Sequence, residues 1–277
     1  MIKKIFKVIK YIIIKRGFFG ISSPFRTLPS FIIIGVKRCG TTTLFENLAE
    51  HPCIEKSSHD NIGFFNDNFH LGINWYKSHF VTLNKKNEII KKFGKFATYD
   101  VTTSYIRNPE LATKIKGEIP NCKIIAILRN PIDRAFSEYN ENLKKKPNMD
   151  SFEKIILQEL NDYRKISDED INLIIKQLNL IGKGLYQRQL KKWFEMFSKE
   201  SILILSTEEF EKNPDMTYSK IFHFLELPDH KIKNTKKFNK NLYSKMDGNI
   251  RKKLEEFFEP HNNELFNLIN ENFKWNK

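Results

Sequence analysis

Apolar residues along this chain fall into two periods, and the alternation between them outlines the fold. Phe31-Ile-Ile-Ile34 is a short β-branched run. It follows Ser-Ser-Pro and Leu-Pro-Ser breakers at residues 22–30 and stops at Gly35, the pattern of a strand buried on both faces. Thr41–Glu50 then reads as a helix. The same step recurs at Lys123-Ile-Ile-Ala-Ile-Leu128, followed by Arg129-Asn130-Pro131. There Asn130 suits a helix N-cap and Pro131 the first helical position, and the helix is predicted to reach Leu143. A third run, Ser201-Ile-Leu-Ile-Leu205, follows a helix whose Leu190, Trp193, Phe194 and Phe197 share a core-facing stripe. Phe96–Val101 supplies a further strand. Residues 150–180 read as two polar amphipathic helices, and 248–272 as closing helical segments broken at Pro260. Strands alternating with helices predict an α/β protein, a central parallel sheet flanked by helices. With no internal repeat or long linker, one domain is expected over 29–277, preceded by a basic amphipathic segment at 1–28.

Composition narrows the class. The chain has 277 residues, 40% of them hydrophobic and 13% aromatic, enough for a sizeable core and too apolar for disorder. Lys+Arg number 47 against 33 Asp+Glu, a net charge of +14, so the summed field favours anionic partners: nucleotide, polyanionic glycan, anionic membrane or nucleic acid. No DNA- or RNA-binding motif accompanies the charge, so nucleic acid is not expected as a partner. Cys39, Cys53 and Cys122 are an odd number without paired spacing, and no Cys/His cluster has zinc-ligand spacing. A reducing compartment and no metal are the expectation. At the N-terminus, lysines 3, 4, 7, 10 and 15 interrupt the apolar residues well short of the roughly 18 a membrane span needs. A signal-peptide pattern is also missing. Ile2, Ile5, Phe6, Ile9, Ile12 and Ile13 share one helical face, which fits either peripheral contact with a membrane or packing on the protein body. These features together give the expectation of a cytoplasmic enzyme, peripheral to a membrane at most.

Candidate chemistry begins where the first strand meets the first helix. Gly35-Val-Lys37-Arg38-Cys39-Gly40-Thr41-Thr42-Thr43 occupies a strand-to-helix turn, where backbone N–H groups and the helix dipole favour an anion. The two glycines have the spacing of a nucleoside-triphosphatase P-loop, which needs Lys directly after the second Gly to reach the β- and γ-phosphates. Thr41 stands there instead, and the cations Lys37 and Arg38 lie inside the loop. A P-loop-like phosphate site that is not an ATPase or kinase follows. Neither the displaced lysine nor Mg²⁺ ligands are evident.

The second strand-to-helix turn carries Arg129-Asn-Pro-Ile-Asp-Arg134-Ala-Phe-Ser137-Glu-Tyr139. Arg129 offers a planar fork to phosphate oxygens, and Ser137, two turns into the helix, adds a hydroxyl donor. Together the two turns resemble the 5′-phosphosulfate loop and the 3′-phosphate site of the 3′-phosphoadenylyl sulfate-dependent sulfotransferases. The resemblance runs from about Phe31 to Trp275 and is strongest to the heparan sulfate branch and related bacterial carbohydrate sulfotransferases. Three more segments resemble that branch in order: Phe64-Phe65-Asn-Asp-Asn-Phe-His-Leu-Gly72-Ile-Asn-Trp75-Tyr76, Gly184-Leu-Tyr186-Gln-Arg-Gln-Leu190-Lys-Lys-Trp193, and Glu256-Phe-Phe-Glu-Pro260-His-Asn262.

The resemblance implies sulfuryl transfer from 3′-phosphoadenylyl sulfate to a hydroxyl or amine of a carbohydrate, with adenosine 3′,5′-bisphosphate as product and no metal. Sulfation of a small molecule, lipid or protein tyrosine, or a catalytically weak nucleotide-binding homologue, are the alternatives. It places the donor on Lys37, Arg38, Cys39, Gly40, Thr41, Thr42, Thr43, Arg129, Ser137 and Tyr186, with Lys240 and Lys245 as provisional members from a late basic loop. Lys37 or Arg38 would stabilise charge on the bridging oxygen. The chain departs from the family at four places. Arg38 stands where Lys is usual and keeps the charge without readily donating a proton. Asn61 stands where the branch has Glu as base, which leaves neighbouring His59 and Asp60 as candidates, together with Asp100. Val101 replaces a lysine, and the late loop Lys236–Lys245 lacks the usual Gly-Arg pair.

Overall fold

The structure is a computed structural model and describes residues 21–166, 180–233 and 245–275. In chain order the main elements are β1 (Phe31–Gly35), α1 (Thr41–Asn47), β2 (Ile54–Lys56), α2 (Gly72–Lys77), α3 (Leu83–Phe93), β3 (Ala97–Val101), α4 (Glu110–Glu118) and β4 (Lys123–Leu128). After these come α5 (Pro131–Lys145), α6 (Phe152–Tyr163), α7 (Tyr186–Met196), β5 (Ile202–Ser206), α8 (Thr207–Lys212), α9 (Pro214–Phe224) and α10 (Gly248–Ile269). The five strands form one sheet in the order β2-β3-β1-β4-β5, every pair parallel, so each connection crosses over through helices. Phe31 pairs with Tyr99 on one side and with Lys123 on the other, and Ile124 pairs with Ile202. The expected central parallel sheet is present.

β1 and β3 are buried at every position, as a strand covered by helices on both faces must be. Gly35 ends β1 because no side chain fits: a Cβ there would stand 2.6 Å from Ile106 Cγ2. The N-cap read from the sequence is in place, with Asn130 Oδ1 accepting from Ile132 N at 3.0 Å ahead of Pro131. β2 was not anticipated. It is three residues long, lies at the sheet edge, and passes from buried Ile54 to exposed Lys56, too short for an alternating pattern.

Two expectations about the helices change. The chain is not broken at Pro260: α10 runs unbroken from Gly248 to Ile269 with that proline inside it. Leu254, Phe258, Asn262 and Leu265 keep one face of α10 buried through the proline, which itself faces solvent. Of the two helices expected over 150–180, α6 is observed, and residues 167–179 lie outside the described residues. So do residues 1–20, which carry the N-terminal amphipathic segment.

A second apolar cluster beside the sheet joins α5, α6 and α10 through Ile132, Tyr139, Phe152, Ile156, Leu254 and Phe258. A buried polar network fastens α5 to it. Arg134, wholly buried, donates to Glu138 Oε2 at 2.6 Å and to the carbonyl of Leu180, while Glu138 also receives Lys183 Nζ at 2.8 Å. Burial pushes the Glu138 carboxyl up, but Arg134 and Lys183 outweigh it and hold the group below its usual value. This anchoring fixes the first turns of α5, which carry Ser137 and directly follow Arg129.

Candidate active site

The strand order reverses its direction of growth between β1 and β4, and in open parallel sheets ligands bind beyond the carboxyl ends of the strands at such a point. A cavity of about 500 Å³ opens there. Its walls come from three strand-to-helix junctions: β1–α1, β4–α5 and β5–α8.

The first junction is the glycine-bounded loop. Gly40 takes φ 86° and Arg38 φ 78°, left-handed values that turn the chain sharply, and Leu44 N begins the helix by donating to Gly40 O at 3.1 Å. The first turn of α1, Thr41 to Thr43, lines the cavity, the end of a helix at which backbone N–H groups point outward. Lys37, Arg38 and Gly40 line it as well. Cys39 does not: its side chain is wholly buried, burial pushes its thiol up to about 12, and its contribution to the loop is a carbonyl 3.1 Å from Thr207 Oγ1.

At the second junction Arg129 and Ser137 both line the cavity. Arg129 is fixed through its backbone and its side chain. The Tyr186 hydroxyl donates to its carbonyl at 2.9 Å, and its own Nη1 donates to Arg38 O at 3.3 Å, which clasps the loop. Tyr186 is buried behind Arg129 and is not part of the lining. Arg38 Nε reaches Ser137 Oγ at 3.5 Å, and its Nη2 lies 3.6 Å from Glu141 Oε2. The two turns that the sequence analysis paired are thus in contact.

The third junction was not singled out from sequence. Thr207 Oγ1 lies 2.8 Å from Leu128 O as well as near Cys39 O, so one hydroxyl ties all three junctions together. Glu208 accepts from Asn130 N at 2.8 Å, Ser206 Oγ at 2.7 Å and Trp275 Nε1 at 3.1 Å. Its sequence signal existed: Ser206-Thr-Glu-Glu209 is a capping box at a strand end, and Ser206 Oγ does accept from Glu209 N. Phe210, Glu211, Pro214 and Tyr218 continue this wall, and Asn47 Nδ2 donates to Tyr218 OH at 2.8 Å to close the far end. The lining holds three cations, Lys37, Arg38 and Arg129, and one carboxylate, Glu211.

Of the segment that carries the base candidates, the residues in the lining are Asn61 and Thr103. Asn61 takes φ 53°, a left-handed value that Asn tolerates better than Glu. Its N–H donates to Val101 O at 2.6 Å and its Oδ1 accepts from Thr103 N at 3.3 Å. His59 and Asp60 precede it outside the lining; the Ser58 hydroxyl stands 2.9 Å from His59 Nδ1 and 2.8 Å from His79 Nδ1. Burial lowers the His59 pKa, with Asp60 opposing. Asp100 is wholly buried and lies away from the cavity. Its carboxylate accepts from Tyr76 OH at 2.9 Å, Thr102 Oγ1 at 2.9 Å and Tyr105 OH at 3.3 Å, and burial raises its pKa to about 6 against those hydrogen bonds. Gly63 N donates to the same Thr102 hydroxyl, so Asp100 anchors the loop that presents Asn61. Lys245 is exposed just before α10 and outside the lining, and Lys240 lies outside the described residues. Among the described residues no group of three or more His, Cys, Asp and Glu is placed to hold a metal ion.

Comparison with known proteins gives a consistent result. The family model described as "sulfotransferase domain" matches residues 28–273. A membrane-associated sulfotransferase of Dictyostelium discoideum is 26% identical over 90% of this chain and 66% of its own length. A bifunctional heparan sulfate N-deacetylase/N-sulfotransferase of Caenorhabditis briggsae is 29% identical over 89% of this chain and 31% of its own. A heparan sulfate glucosamine 3-O-sulfotransferase of Mus musculus is 26% identical over 90% of this chain and 65% of its own. The chain therefore spans less than two thirds of the length of each. A solved sulfotransferase from Alicyclobacillus acidocaldarius shares the fold, with TM-score 0.69 and 24% identity over 91% of this chain and all of that one.

These relatives correct one expectation. The cytoplasmic assignment rested on unpaired thiols and an interrupted apolar N-terminus, yet a relative matching nine tenths of the chain is named membrane-associated. Free buried cysteines report their own burial rather than a compartment. Among the described residues, no helix is long and apolar enough to cross a membrane.

Proposed function

The chain belongs to the sulfotransferase domain family, and from that premise we propose that it transfers a sulfuryl group from 3′-phosphoadenylyl sulfate to a hydroxyl or amine of a carbohydrate. One observation carries the reading: a single cavity has the Lys37–Thr43 loop on one wall and Arg129 with Ser137 on another, so two separate anionic groups of one nucleotide have receptors of the right kind. The relatives named as heparan sulfate sulfotransferases support a carbohydrate acceptor.

The donor fits this lining. The N–H groups of Thr41 to Thr43 and the Lys37 ammonium would hold its 5′-phosphosulfate, Arg129 and the Ser137 hydroxyl its 3′-phosphate, and Thr207, Phe210 and Tyr218 would wall the nucleoside. In the transfer an acceptor oxygen or nitrogen forms a bond to sulfur as the bond from sulfur to the bisphosphate oxygen breaks. Negative charge grows on that oxygen. Lys37 and Arg38 stabilise it electrostatically; the Arg38 guanidinium keeps its proton and acts by charge. Positioning does the remainder of the work, as in phosphoryl transfer. His59 and Asp60, beside Asn61, are the base candidates for a hydroxyl acceptor, and Asp100 is a positioning residue that acts through Thr102 and Gly63.

Calorimetric titration of adenosine 3′,5′-bisphosphate into the wild type and into Arg129→Ala, with ATP-Mg²⁺ as control, tests the donor. Preference for the bisphosphate and its loss in the variant support the proposal; preference for ATP-Mg²⁺ sinks it.

A further inference from the structure

Helix α3 sits apart from the cavity and buries very little. Of its eleven residues Ile89 is the one that is buried, while Leu83, Ile90 and Phe93 are 38%, 38% and 39% exposed. Positions 83, 90 and 93 lie on one stripe of an α-helix, being seven and three residues apart. The stripe continues beyond the helix: the antiparallel bridge between Arg26 and Thr82 sets Phe25, 67% exposed, opposite Leu83, and Ile21 at 76% exposure lies one turn of chain before it. Thr27 N donating to Val81 O at 3.1 Å and Arg26 donating to Phe80 O at 2.5 Å hold this arm in place. Five apolar side chains open to solvent thus lie on two tethered segments, whereas apolar residues scattered singly over a surface need no explanation.

The charge around the stripe is one-sided. Lys85, Lys86, Lys91, Lys92 and Lys95 lie in the same stretch as a single acid, Glu88, and Glu55 comes within 3.8 Å of Lys85 from the neighbouring strand. Lys86 falls within the stripe, with its ammonium 6.0 Å from the centre of the Phe96 ring, and Lys85, Lys91, Lys92 and Lys95 lie off it. A helix with Leu, Ile and Phe along one stripe and lysines flanking it lies in the headgroup layer of an anionic membrane, apolar stripe inward and ammonium groups at the phosphate level. A polyanionic glycan would engage the lysines and leave the phenyl and aliphatic groups in water, so the apolar stripe favours lipid. We propose that α3 and the arm at residues 21–26 form a docking surface for an anionic phospholipid bilayer.

Cosedimentation of the full-length chain with phosphatidylcholine vesicles, alone or with about 30% phosphatidylserine, tests this. The wild type should partition onto the anionic vesicles about ten-fold better than onto neutral ones. Leu83→Ser/Ile90→Ser/Phe93→Ser should lower that partition about ten-fold in a variant that still unfolds cooperatively. Lys85→Gln/Lys91→Gln/Lys92→Gln should lower it comparably and flatten its salt dependence. If the apolar triple variant unfolds, Phe93→Ser alone reads the same partition. Absence of vesicle binding by the wild type overturns the proposal. So does an apolar variant that binds as the wild type does, the result that a purely basic surface for a glycan, or attachment through another segment, would give. The outcome is independent of donor binding, which the calorimetric experiment reads separately.

Discussion

Arg129 is held from behind by the Tyr186 hydroxyl and in front by the loop carbonyl of Arg38, so its guanidinium is oriented before a ligand arrives. Charge-assisted contacts to phosphate are worth about 1.5–3 kcal/mol each, and Arg129→Ala should weaken the bisphosphate about 100-fold in calorimetry. Arg129→Lys should restore little of it, because an ammonium lacks the planar fork. Asp100 makes a different prediction. Its carboxyl rises from 3.8 to about 6 because it is buried, so the folded chain keeps a proton that the unfolded chain has released. The stability this gives is complete below pH 3.8 and is lost as the pH climbs through about 6, on the order of 3 kcal/mol in all. Asp100→Asn removes that slope. Urea unfolding at pH 4 and pH 7 should therefore show the variant gaining on the wild type between them, and an equal difference at both values would refute the buried titration. Arg129 and Ser137, which both line the cavity, could be paired from sequence because they lie eight residues apart at one strand-to-helix turn. The burial of Asp100 could not, since an acid within a β-run looks the same whether its carboxylate meets solvent or three hydroxyls.

At the scale of elements, β1, β4 and β5 were legible because a strand covered on both faces is a short run of apolar residues with a breaker after it, whereas β3, which holds Thr98 and Asp100, gave a weaker signal. β2 lacked that signature, and α10 was expected to break at a residue that helices normally avoid. Pro260 cannot donate to the Glu256 carbonyl, but its ring faces solvent while Phe258 and Asn262 on either side are buried. Tertiary packing of α10 against α7 and α5 overrides the local preference. If the proline is merely tolerated, Pro260→Ala should raise the unfolding free energy by about 1–3 kcal/mol, read from urea denaturation, because alanine restores the missing donor in an already helical segment. A variant no more stable than the wild type would mean that the proline sets the path of α10 across the second apolar cluster.

For the molecule as a whole, the cavity is assembled from distant parts of the chain, and this is what the sequence concealed. Asn47 and Tyr218 meet across 171 positions to close one end, and Thr207 ties two loops that neither neighbour nor resemble it. Local pattern locates the first two strand-to-helix turns; only the β2-β3-β1-β4-β5 order brings the third junction beside them. A ligand spanning that cavity must stabilise all three junctions at once. At a hundred-fold excess over its Kd, adenosine 3′,5′-bisphosphate should raise the unfolding free energy by about 2.7 kcal/mol by mass action. Hydrogen exchange should then slow together in residues 35–43, 129–137 and 206–211, without Mg²⁺. Slowing confined to the first segment would point to a phosphate site on one loop and remove the argument for a nucleotide held at both ends. Concerted slowing that Thr207→Val abolishes in the first two segments, with the bisphosphate still bound, would show that the hydroxyl between Cys39 and Leu128 is what makes the three walls respond as one.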